Sequence, residues 1–231
     1  MTRLIPFGPD IWIAEGSVVS FFGFPYPTRM AVIRLSDRTL FVWSPIALDD
    51  ELRGEVDALG VVAHLVSPNK IHHLFLGEWK SVYPGARLYA SPGLQSRRRD
   101  LEFDAVLGEM PEHAWAADID QVCVGGSFAM TEIVFLHRAS RTAIFADLIE
   151  NFRPGWFAGW KGVLARLDGI VSPDYGAPRE WRASFWRRRP ARRALERILA
   201  FAPEKVVIAH GELAHGDGTA FIRKAFCWLL R

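Results

Sequence analysis

The chain has 231 residues, of which half are apolar, 13% aromatic and 23% charged. A folded chain of this size hides roughly 70% of the surface it would expose when open. The composition excludes a disordered tail, a collagen-like repeat and a disulfide-stapled miniprotein. The net charge of +2 is unevenly spread. Residues 176–199 carry eight Arg against two Glu, so the remainder is acidic.

Cys123 and Cys227 lie far apart in apolar runs, which fits two buried free thiols and neither a zinc spacing nor a disulfide framework. The N-terminal stretch MTRLIPFGPDIW lacks the continuous apolar region of a signal peptide. No window reaches about 18 uninterrupted apolar residues, so no membrane span is expected. These features predict one cytoplasmic domain over residues 1–231. The sequence carries no signal for oligomeric state.

The first 45 residues read as β structure. Ile11 to Ala14 forms a short apolar run stopped by Glu15-Gly16. Phe21 to Thr28 is rich in Phe, Gly and Pro and reads as a loop. Met30 to Leu35 and Thr39 to Trp43 are β-branched and apolar, with Ser36-Asp37-Arg38 as a hairpin turn between them. Asp49-Asp50-Glu51 opens a predicted helix that runs to Leu59 and stops at Gly60.

Strand and helix then alternate. Residues 60–66 form a near-continuous apolar strand, as expected when both faces are covered. Ile71 to Tyr83 reads as a helix and Arg87 to Ala90 as a strand. Gln121 to Val124, Glu132 to His137 and Thr142 to Ala146 return to strand, with Arg138 to Arg141 as a second hairpin turn. Trp156 to Leu167 and Ala191 to Phe201 are predicted helices, the latter with Pro190 suited to its first position. Lys205 to Ala209 is the last strand and Thr219 to Leu230 the closing helix. This order, with hairpins in each half, predicts an α/β (α+β) chain folded as a four-layer αββα sandwich.

Three strands each end in a group able to bind metal. Val61 to Val66 runs into Ser67-Pro68-Asn69-Lys70-Ile71-His72-His73. Thr142 to Ala146 runs into Asp147, and Lys205 to Ala209 into His210-Gly211. Strand ends collect ligand groups from distant sequence in layered α/β folds. Imidazole and carboxylate are normal zinc or iron ligands, and three of them plus water make an open catalytic site.

This order resembles the metallo-β-lactamase fold over most of the chain. In that family an apolar strand leads into H-x-H-x-D-H, a later strand ends in a bridging Asp, and another in a His followed by Gly. Read in register, Ser67 and Asn69 replace the first two histidines and Ile71 replaces the aspartate, whereas His72 matches the last histidine. Asp147 matches the bridging aspartate and His210 the C-terminal histidine. The middle histidine has no counterpart in Gly125 to Met130.

The resemblance therefore implies a degenerate centre. One of the family's two metal sites is lost, and the other keeps His72, Asp147 and His210. Two readings follow. In one, a metallo-β-lactamase-like hydrolase holds a single divalent ion (Zn, Mn or Fe) whose bound water attacks a small-molecule substrate. Asn69, Lys70, His73 and His215 are its candidate pocket residues. In the other, no metal binds, Asp147 is satisfied by the histidines and Lys70, and the protein is a noncatalytic binding protein that keeps the fold.

Other patterns carry less chemistry. Gly125-Gly126-Ser127-Phe128-Ala129 approaches a serine elbow, but Ala129 breaks it and the alternating strand pattern after it opposes the helix an elbow needs. His64 and His137 read as satisfied sheet residues. In the Arg-rich segment 179–197, Leu195, Ile198 and Leu199 form an apolar face while Arg192, Arg193 and Arg197 form a solvated one. The rival expectation is a nucleic-acid partner drawn by Arg182, Arg187, Arg188 and Arg189 with Trp181 and Trp186.

Overall fold

The computed structural model describes residues 3–230. Two sheets lie face to face. The first has seven strands in chain order: β1 (Ile5–Gly8), β2 (Ile11–Phe21), β3 (Phe24–Arg34), β4 (Thr39–Trp43), β5 (Val61–Val66), β6 (Arg87–Ala90) and β7 (Ala105–Val106). β1 to β4 are antiparallel, and β4 to β7 are parallel. The second sheet has the order β11-β10-β9-β8, from β8 (Ile119–Val124), β9 (Glu132–His137), β10 (Thr142–Asn151) and β11 (Lys205–Gly211). β10 and β11 are parallel, so a crossover joins them.

Three apolar layers hold the four structural layers together. Ile13, Phe41 and Trp43 of the first sheet meet Ile133, Phe135 and Val207 of the second. Val32, Val42 and Leu65 face away from that core and pack on Leu52 and Val56 of α1 (Asp50–Leu59) and Trp79 of α2 (Leu76–Val82). On the far side, Val134, Phe145 and Ile208 pack against α5 (Arg188–Ala200), α6 (Gly218–Ala225) and α7 (Cys227–Leu230). The remaining helices are α3 (Gly159–Asp168) and α4 (Arg179–Ser184). The αββα sandwich expected from the element order is the fold found.

Several local expectations change. Phe21 to Thr28 is no loop: β2 and β3 form one long hairpin whose two-residue turn is Phe22-Gly23, both at positive φ. Pro25 and Pro27 are tolerated because β4 pairs with β3 only from Ala31 onward, leaving this stretch at a sheet edge. The helix after β5 begins at Leu76, not Ile71. The Asn69 side chain accepts the N–H of Ile71 at 3.0 Å and of His72 at 3.3 Å, which fixes a tight turn in place of a first helical turn.

The closing helix breaks at Phe226 into α6 and α7, and Pro190 takes the third helical position rather than the first. Both cysteines are free, but Cys227 is exposed and Cys123 only half-buried. His137 bonds Ser140 Oγ at 2.7 Å, whereas the buried Nδ1 of His64 has no hydrogen-bond partner among the described residues. No helix among the described residues is long and apolar enough to cross a membrane.

Candidate metal centre

The C-terminal ends of β4, β5, β10 and β11 meet at one rim of the sandwich, and His72, Asp147 and His210 converge there. Asp147 bridges the two histidines: Oδ2 lies 3.1 Å from His72 Nε2, and Oδ1 lies 3.1 Å from His210 Nε2. One ligand atom from each residue fits within 4.8 Å of the others. Asp147 and His210 are buried, and the His72 side chain is 10% exposed.

β10 runs past Asp147 instead of ending there. It pairs with β11 up to Phe145↔Ile208 and resumes at Glu150↔His210, so four residues of β10 stand opposite one of β11. That bulge turns Asp147 toward the histidines. Bulging frees main-chain N–H groups, and Glu132 at the start of β9 collects them: Ala146 and Asp147 each donate at 2.9 Å and Leu148 at 3.3 Å. Asn69 Nδ2 donates to Glu132 Oε2 at 3.1 Å and to Asp147 Oδ2 at 2.6 Å, tying the two carboxylates together.

The far side of each imidazole is also fixed. His210 Nδ1 donates to the carbonyl of Pro27 at 2.7 Å, and His72 Nδ1 is 2.8 Å from Ser44 Oγ. Ser44 follows β4 at φ 49°, a left-handed conformation rare for serine. Because Pro27 can only accept, a neutral His210 carries its proton on Nδ1 and aims the Nε2 lone pair at Asp147. Lone pair and carboxylate are reconciled by a shared cation or by a second imidazole proton. Both ligand chemistry and spacing fit one divalent ion.

The charges follow from burial and this pairing. Burial opposes ionisation of Asp147, but the two histidines override it and hold the carboxyl well below the usual carboxylate range. Burial also opposes a charged His72, yet Asp147 and Glu132 raise its pKa above the ordinary value. Glu132 is pushed up to about 7 by burial and the Asp147 charge, against the pull of its N–H donors. Glu150 is raised well above normal by burial and then by Asp147; the Tyr26 hydroxyl donates to it at 3.2 Å.

These groups open on a cleft of about 270 Å³, lined by Phe21, Tyr26, Ser44, Ile71, His73 and Trp181 besides His72, Asp147, His210 and Glu150. Ile71 forms apolar wall beside the histidines. His73 reaches the cleft, with Arg98 Nη1 3.4 Å from its Nδ1. Asn69 supports the centre from behind.

Lys70 is not where the sequence reading put it. It bonds Arg97 through its carbonyl at 3.4 Å, and no ion pair joins it to Asp147 among the described residues. His215 also lies away from the cleft. Ala214 pairs with Val206 at the opposite end of β11, and the His215 ring packs on Phe7 at 5.1 Å. The glycine-rich loop after His210 turns back along its strand and carries His215 away from the site. Glu132, Glu150, Tyr26 and Ser44 were not anticipated.

Ser127 is no nucleophile of an elbow: its Oγ accepts the N–H of Ala129 at 3.0 Å and meets Ser184 Oγ at 2.6 Å. On α5, Ala191, Ala194, Leu195 and Ile198 are buried, and Arg197 Nη2 lies 3.8 Å from Asp120. Trp186 and Arg187 to Arg189 stand exposed before and within its first turn.

Solved structures share this architecture at low identity, which speaks for the fold alone. A metallo-β-lactamase from Pontibacter korlensis matches with a TM-score of 0.63 and 11% identity, covering 100% of both chains. The metallo-β-lactamase DIM-1 matches with a TM-score of 0.65 and 14% identity, over 99% of this chain and 96% of that one. A flavodiiron core from Synechocystis sp. PCC6803 gives 0.65 and 13%, over 99% of this chain and 60% of that one. No curated protein matches the sequence. A family model, "Domain of unknown function (DUF4336)", matches residues 10–155, a stretch that holds His72 and Asp147 and stops before His210. The chain belongs to the DUF4336 family and has the metallo-β-lactamase fold.

Proposed function

We propose that the protein is a hydrolase that works with a single divalent ion held by His72, Asp147 and His210. The observation that carries this reading is the Asp147 carboxylate set between two Nε2 atoms whose rings are each anchored at Nδ1. Rings fixed from behind, with nitrogens aimed at one carboxylate, are arranged as metal-binding histidines are. An ion bound there would supply Lewis acidity, polarising a carbonyl and lowering the pKa of water.

The chain's own residues do the rest. Asn69 and Glu132 hold Asp147 in its bulge, and Ser44 and the Pro27 carbonyl fix the two imidazoles. Glu150, three residues beyond Asp147 and bonded by Tyr26, lines the same cleft and is placed to exchange a proton with substrate or water. Ile71 and Trp181 give the cleft apolar walls, which favour a substrate with apolar character over a highly charged one.

The noncatalytic reading is favoured by one observation. Asp147 already lies 3.1 Å from an Nε2 of each histidine, contacts that can satisfy it without an ion. Elemental analysis of protein purified without chelators, with calorimetric titration of zinc, manganese and iron, separates the two. About one ion per chain supports the hydrolase; no uptake of any of the three leaves the binding protein.

A further inference from the structure

Large apolar side chains gather beside the cleft. Phe22 at the hairpin tip is 90% exposed, and on α3 Trp160, Val163, Leu164 and Leu167 are all exposed. Their spacing places them on one helical stripe. A surface helix ordinarily turns such a stripe inward, yet α3 buries only Ala165. An outward apolar stripe marks a surface that receives something.

Between α3 and the hairpin tip runs a groove lined by Phe21, Phe22, Phe24, Leu164, Leu167 and Ile170. Its walls are held in place: Lys161 Nζ donates to the carbonyl of Gly23 at 2.6 Å, and Trp156 Nε1 to that of Pro25 at 2.9 Å. The groove shares Phe21, Tyr26 and Glu180 with the cleft at Asp147, so the two form one continuous surface.

We propose that this groove receives the hydrocarbon chain of an acyl ester whose carbonyl end reaches the His72–Asp147–His210 centre. The proposal rests on the hydrolase reading and names its substrate class. Continuity with the cleft favours one extended molecule over a second copy of the chain. The rim gives no basic excess that would draw an anionic membrane, because Asp168 and Glu180 balance Arg179 and Lys161 there. In the reaction the oxygen of water bonds to the acyl carbon and the acyl C–O bond breaks. One proton of water passes to the departing alcohol, and the acid is left.

The test uses the full chain. Calorimetric titration with octanol, decanol and dodecanol reads the groove without chemistry. Affinity rises roughly threefold for each methylene added, somewhat less than full burial of the group would give. Leu164→Glu and Leu167→Glu, both at exposed positions and checked for folding by circular dichroism, each weaken decanol binding about tenfold or more, the scale set by charging an apolar contact.

Affinity independent of chain length, or unchanged by both glutamate variants, overturns the proposal. So does a dimer in light scattering that those variants dissolve, or binding to anionic vesicles but to no monomeric alcohol. Alcohols that bind as stated, with no turnover of p-nitrophenyl decanoate by the zinc-, manganese- or iron-loaded chain, overturn the hydrolase reading and leave the groove as a site for apolar chains.

Discussion

Glu132 accepts the main-chain N–H of Asp147 at 2.9 Å, and through that bond one buried carboxylate sets the position of another. The same side chain takes the N–H groups of Ala146 and Leu148, so it completes a bulge that would otherwise leave three amides unpaired inside the protein.

Replacing this carboxylate should therefore cost both stability and metal. Glu132→Ala removes a buried acceptor from several donors, and a loss of about 3 kcal/mol is expected. Metal affinity should fall roughly 10- to 100-fold, as for other groups that orient a ligand. Glu132→Gln, which keeps an acceptor oxygen, should recover part of both. Urea unfolding with metal titration checks this; an alanine variant as stable as the parent would contradict it.

Ser44→Ala tests the second orienting contact. It frees His72 Nδ1 without opening the core, so the thermal midpoint should stay within a few degrees while zinc affinity drops roughly tenfold. Equal affinity in variant and parent, measured by competition with a chelator, would show that Ser44 does not fix the ring.

Gly211 sits beside His210 at φ 99°, and a Cβ there would run into the main chain of Asn151 and Phe152. Gly211→Ala should destabilise the fold by about 2–3 kcal/mol through backbone strain and displacement of β10. A denaturation midpoint unchanged from the parent would refute that role.

His137 links stability to acid. Burial pushes its pKa from 6.5 down to about 4, with Asp118 and Asp10 opposing that shift. In this window the unfolded chain binds a proton that the folded chain refuses, so stability is full above the unfolded value and declines as pH falls toward the folded one. The loss approaches about 3 kcal/mol when complete. Other groups titrate over the same range, so the informative quantity is the difference between parent and His137→Gln. The variant should lose about 2 kcal/mol less between neutral pH and about pH 4. Parallel curves for the two would contradict the assignment.

Much of this architecture is written in short-range pattern. Asp49 before an acidic turn and Gly60 after Leu59 mark α1 because capping and the helix dipole act within one turn. His72, Asp147 and His210 were legible through the strand-end grammar and the family resemblance, since rigid strands carry their C-terminal groups to one rim. Glu132 was not. A glutamate opening an apolar strand looks the same whether it faces water or three buried amides; the faint signal is an acid heading a run that is buried throughout. The β2–β3 hairpin was hidden because Pro25 and Pro27 read as breakers until the strand is known to lie at an edge. His215 was misplaced because a loop with three glycines has no local preference for which way it turns.

The most direct test of the central claim is the metal content of the unmodified chain beside Asp147→Asn. About one zinc, manganese or iron per chain is expected for the parent and a large loss for the variant. A parent that takes up none of these ions, or a variant that holds as much as the parent, would contradict it.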